Sequence, residues 1–92
     1  DANLSVTPDM DSAIVKQHAS EALLNAIQTL TVDQQQVIIL RFIEGLPIEA
    51  VAEQLGKKGN AIKALQFRAV RSLASYLERS GFDAESILAG LF

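Results

Sequence analysis

The 92 residues suit one small domain, and with 49% apolar residues they can bury a compact core. The lack of cysteine excludes disulfides and thiolate metal sites, and no apolar run reaches the roughly 18 residues of a membrane span. The net charge of −3 argues at first against nucleic acid.

Residues 1–11 carry Asn3, Pro8 and three acids with little periodicity, and read as a linker or tail. No secretory signal is visible, which fits a cytoplasmic protein. The chain begins at Asp1 rather than Met, so it reads as a piece of something longer. A first helix is expected to start near Asp11 or Ser12, either of which can cap it. Ile14, Ala19, Ala22, Leu23, Ala26, Ile27 and Leu30 then repeat at helical spacing. Thr31-Val32-Asp33-Gln34 is a capping-box pattern, in which a hydroxyl and a Gln amide each satisfy a free backbone N–H. A second helix follows through Val37, Ile38, Leu40 and Arg41, and Gly45 is placed to end it in a left-handed cap.

Pro47 suits a first helical turn, so a short third helix is expected from about Pro47 to Leu55, with Ile48, Val51, Ala52 and Leu55 inward. Gly56 ends it, and a turn runs to Gly59. A fourth helix spans about Asn60 to Glu78, with Ile62, Leu65, Ala69, Leu73 and Leu77 as its core stripe and Gly81 as its stop. Residues 83–91 read as a short final helix with Ile87, Leu88 and Leu91 on one side. The fold class is all-α, four to five helices without a wing. The domain is expected over 12–79 and a C-terminal tail over 80–92.

The charges are segregated along this plan. Residues 1–56 hold eight acids against Lys16 and Arg41, whereas residues 57–79 hold six cations against Glu78 alone. A local basic stretch is what phosphate binding needs, whatever the charge of the whole chain. A short helix, a Gly turn and a second helix with a basic outer face make a helix-turn-helix, in which the second helix enters the DNA major groove. The small Ala52 lets the two helices approach closely.

The outer face of the fourth helix carries Asn60, Lys63, Ala64, Phe67, Arg68 and Arg71. Lys and Arg neutralise phosphates or read guanine, Asn reads adenine, and Phe meets a thymine methyl. Lys57 to Arg71 holds five cations and no acid. A solvated helix face usually mixes signs. Two plainer readings stay open: the face is merely solvated, or Phe67 is core. His18 reads as a surface residue, and Glu49 with Glu53 as a solvated face. No nucleophile with a base, phosphate-cradling glycine loop or metal cluster appears, so the expectation is no enzyme, no cofactor and no metal site.

Two blocks of the chain resemble a known family. One is Leu30-Thr31, then Gln35 through Phe42, then Glu44-Gly45-Leu46-Pro47-Ile48-Glu49-Ala50-Val51-Ala52-Glu53-Gln54-Leu55-Gly56. The other is Asn60-Ala61-Ile62-Lys63-Ala64-Leu65-Gln66-Phe67-Arg68-Ala69. Together they resemble region 4 of bacterial sigma factors, in its extracytoplasmic-function type, from about Glu21 to Leu77. The resemblance implies recognition of the promoter −35 element and docking on the β flap of core RNA polymerase, with an anti-sigma factor as a further partner and no membrane role. It places DNA contacts at Lys63, Ala64, Phe67 and Arg68, with Asn60 at the start of the helix and Arg41 on the backbone. Lys57, Lys58 and Arg71 join them as cations of the same stretch.

The chain departs from the family at the turn. Lys58 stands where the family caps the helix with Ser or Thr, Asn60 where it commonly has Gly, and Lys57 where it has an apolar or small residue. Asn60 is then an alternative cap that would delay the helix start. The family region that recognises the −10 element is not in this sequence. Two rivals remain: the output domain of a response-regulator or quorum-sensing factor, and an interaction module without a direct DNA role. The run Lys63-Ala64-Leu65-Gln66-x-Arg68-Ala69 favours sigma over the first. The apolar end, Ile87 to Phe92, docks either on a partner or back on its own domain.

Overall fold

A computed structural model describes residue 18 and residues 20–91 of the chain. The expected start of the first helix at Asp11 or Ser12, with Ile14 and Ala19, lies outside the described residues, as does Phe92. Among the described residues the fold is all-α, with five helices and no strand.

The first helix, α1, covers residues 20–28 and closes with Thr29 Oγ1 donating to the Ala26 carbonyl at 2.6 Å. Helix α2, Val32–Ile38, starts at the expected capping box: Thr31 Oγ1 accepts from Gln34 N–H at 3.2 Å, and Gln34 Oε1 accepts from Thr31 N–H at 3.4 Å. Gln35 Nε2 reaches back to the Ile27 carbonyl at 2.9 Å and ties the first turn of α2 to α1.

The end of α2 differs from the α-helix that the periodicity predicts. Ile39–Ile43 is a π-helical turn, one residue wider than an α turn. Glu44 N–H bonds the Ile39 carbonyl and Leu46 N–H bonds the Leu40 carbonyl, both at 2.9 Å. Gly45, at φ 77°, supplies the expected left-handed exit. The wider turn accompanies a division of side chains, with Leu40 entering one apolar cluster and Phe42 packing on the other. An apolar pattern does not reveal one extra residue in a turn, so the π segment left no trace in the sequence.

Helix α3, Ile48–Leu55, begins one residue later than expected. Pro47 sits at its cap in extended conformation, ψ 162°, and not in the first turn. Gly56, at φ 67°, ends α3, and Lys57 N–H then bonds the Ala52 carbonyl at 2.9 Å. The turn is only Gly56, Lys57 and Lys58. Helix α4, Gly59–Arg79, then starts one residue earlier than expected.

Lys58, not Asn60, is the cap of α4. Its backbone is extended and its carbonyl accepts from Ile62 N–H at 3.1 Å. Asn60 is therefore already inside the first turn. After Gly81, at φ 88°, Asp83 starts the last helix, α5, Ala84–Leu91. Asp83 Oδ1 accepts from Glu85 N–H and Oδ2 from Ser86 Oγ. Ala84 and Leu88 of α5 are buried against α4.

The core has two parts. Val37, Leu40, Val51, Ala52 and Ile62 close the helix-turn-helix. Ala22, Ala26 and Ile27 of α1, with Leu30 just after it, join Ile38, Ala69, Leu73, Leu77, Ala84 and Leu88 in the other. Helix α4 contributes to both, and Ile62, Ala69, Leu73 and Leu77 are each 0% exposed. Leu65 is only half-buried, packed at the edge of the first part. Leu73→Ala is expected to cost about 2–5 kcal/mol, enough to unfold much of a domain this small. Thr31→Ala should cost only about 1 kcal/mol. Urea titration followed by circular dichroism measures both.

Candidate nucleic-acid interface

Burial of the α4 stripe fixes which side of the helix remains outside. Asn60, Lys63, Phe67, Arg68 and Arg71 are exposed there, and Ala64 is half-buried among them. Phe67 is 62% exposed, so it is not a core residue. The Arg71 guanidinium lies 5.7 Å from the Phe67 ring centroid, a cation–π arrangement. A shallow groove along this face is lined by Gln34, Ala64, Phe67, Arg68, Arg71 and Ser72. Gln34, which also makes the α2 capping box, has no sequence signal that would place it there.

Arg41 reaches the same region from another element. An open hollow is lined by Arg41, Gly45, Pro47, Ile48, Glu49 and Lys63. Arg41 Nη1 donates to the Leu46 carbonyl at 3.1 Å, and its guanidinium sits 5.5 Å from the Phe42 ring centroid. Its Nε is buried without a hydrogen-bond partner. The loop thus holds the guanidinium of Arg41 itself, beside a hollow that Lys63 also lines. His18 is exposed, as expected.

The cations differ in what already holds them. Among the described residues the one ion pair is Lys57 Nζ to Asp33 Oδ2, at 3.5 Å. Lys58, Lys63, Arg68 and Arg71 take part in none. No side chain caps α4 at Lys58, so the first N–H groups of the helix have no capping acceptor there. The helix dipole places further partial positive charge at that end. The face is therefore cationic, largely unneutralised, and interrupted by two apolar side chains, Ala64 and Phe67. The Asp33 pairing was not legible in the sequence, because its partner lies 24 positions away with no pattern between them.

Residues 20–73 match the family model described as Sigma-70, region 4. Over 77 residues the chain is 40% identical to the ECF RNA polymerase sigma factor BldN of Streptomyces coelicolor, covering 84% of this chain and 29% of that protein. Over 68 residues it is 32% identical to the ECF RNA polymerase sigma factor SigX of Bacillus subtilis, covering 74% of this chain and 35% of that protein. The chain thus spans about a third of the length of these relatives. No solved structure gives a significant match. These matches favour the sigma reading over the response-regulator one. The matched stretch includes the capping box, the Gly56 turn and the whole exposed face of α4 from Asn60 to Arg71. The chain belongs to the sigma-70 region 4 family, and the relatives named above are ECF sigma factors.

Proposed function

We propose that this domain recognises the −35 promoter element for a sigma factor, with the first half of α4 seated in the major groove. The observation that carries this reading is the run of cations, in no ion pair among the described residues, around an exposed Phe67. A groove about 12 Å wide admits one α-helix, and α4 stands clear of its own core on that side. Lys58 and Arg41 flank the helix and are assigned to phosphates, which set register without reading sequence. Lys63 and Arg68 are assigned to guanine edges or adjoining phosphates, and Asn60 to adenine. Ala64 and Phe67 meet thymine methyls, and Arg71, steadied by Phe67, reaches a phosphate. Lys57 lies at the start of this set.

As part of a sigma factor the domain also docks on the β flap of core polymerase through apolar surface of its first three helices. An anti-sigma factor is the partner that would cover such surfaces. The site of action is the cytoplasm, and the domain works by binding, without catalysis or a cofactor.

Lys63→Glu combined with Arg68→Glu is expected to abolish DNA binding in a low-salt mobility-shift assay. Unchanged binding would overturn the groove assignment. Affinity should also fall steeply with salt, with a log–log slope of about −0.9 for each phosphate neutralised. A flat response contradicts the proposal. The preferred site follows from selection on randomised DNA with the domain held on core polymerase.

Phe67→Ala separates base reading from phosphate contact. Because Phe67 is exposed, its loss is expected to change stability by no more than about 0.5 kcal/mol. Affinity for the selected site should still drop, by about 1–3 kcal/mol at the base pair concerned. Affinity for scrambled DNA should change little. Equal losses on both duplexes would move Phe67 out of the base-reading set.

A further inference from the structure

We infer that Lys57 is a positioning residue, held by Asp33 to fix where the recognition helix begins, and not a phosphate ligand. The inference rests on the −35 reading above and assigns one of its cations a different task. Lys57 is the middle residue of the three-residue turn, between the left-handed Gly56 and the α4 cap Lys58. Its backbone N–H is already used to close α3 on the Ala52 carbonyl. Its side chain, 34% exposed, leads away to Asp33, and among the described residues the other four cations of the stretch have no such tie.

The backbone that carries Asp33 is held firmly. Asp33 sits in the first turn of α2, between the two partners of the capping box, where the helix dipole favours a carboxylate. Gln35, two residues on, anchors the same turn to α1. The far end of the tether thus stands on an anchored backbone, with the carboxylate itself 52% exposed. The near end needs one, because α4 starts without a side-chain cap at Lys58. A pair linking α2 to the turn restrains the start of α4 from outside the helix. The cost of a misplaced start falls on Asn60, Lys63 and Ala64, which lie in the first turns.

The two roles for Lys57 predict opposite signs. If Lys57 were a phosphate ligand restrained by Asp33, Asp33→Asn would remove a repelling charge, free the lysine and tighten DNA binding. If the pair positions the turn, Asp33→Asn weakens binding to the selected duplex, by about two- to fivefold for an exposed ion pair. Lys57→Gln should weaken it by a similar factor, and the double variant by no more than either single one. The salt slope of Lys57→Gln should match that of the unaltered chain, whereas loss of a phosphate contact would reduce it by about 0.9. Lys57→Arg keeps the pair and should bind as the unaltered chain does. Tighter or unchanged binding by Asp33→Asn overturns the inference, as does a reduced slope for Lys57→Gln.

Amide hydrogen exchange tests the same claim on the 92-residue chain without DNA. Asp33→Asn should speed exchange several-fold at Lys57 and Ile62, whose N–H groups close the turn, and leave Leu73 unchanged. Unaltered exchange at Lys57 and Ile62 refutes the positioning role whatever the DNA results. Failure of the Lys63→Glu, Arg68→Glu variant to lose binding would instead refute the −35 reading, leaving the exchange result to judge the tether.

Discussion

Helix α4 has to be core to two groups of helices at once, and the rest of the structure follows from that demand. Its first buried residue, Ile62, closes the helix-turn-helix, while Ala69, Leu73 and Leu77 seal the cluster built with α1, Ile38 and α5. The fully buried Ile62, Leu73 and Leu77 side chains each contribute about 1.5–3 kcal/mol. A rotation of α4 about its axis would expose both groups together. The side that faces outward is thereby fixed over the length of the helix, about 30 Å for 21 residues. DNA recognition needs such a face, one that does not adjust to its own fold.

Charge is arranged around the same axis. The chain as a whole is acidic, yet its cations are concentrated on the face that packing leaves free. Among the acids of the described residues, Asp33 and Glu49 occupy first turns of α2 and α3. There they suit the helix dipoles, and both stand beside cations of the interface, Asp33 paired with Lys57 and Glu49 in the hollow with Arg41 and Lys63.

Much of this was legible in the sequence because the relevant signals are local. The capping box at Thr31, the left-handed glycines at 45 and 56 and the apolar stripe of α4 each depend on residues within one or two turns. The exposure of Phe67 was open between core and surface, and only the packing of Ile62 and Ala69 decides it. The start of α4 was misplaced by one residue because Asn60 is the better capping side chain. The backbone nevertheless turns at Lys58, where the short Gly56 exit delivers it. The π turn at Ile39–Ile43 and the Asp33–Lys57 pair escaped for a related reason. One depends on how two apolar clusters share a helix, and the other on a contact between distant parts of the chain.

The stacking of Arg71 on Phe67 has an entropic consequence. A free arginine gives up much of its rotamer freedom on meeting a phosphate, and that loss subtracts from affinity. An arginine already resting on a ring has given up part of that freedom while the domain is unbound. The planar guanidinium also keeps its edge donors available while its face is stacked. On the proposed assignment, the ring that would read a base would also prepare its neighbour for the backbone, and sequence reading and register would share one pair of side chains already in contact.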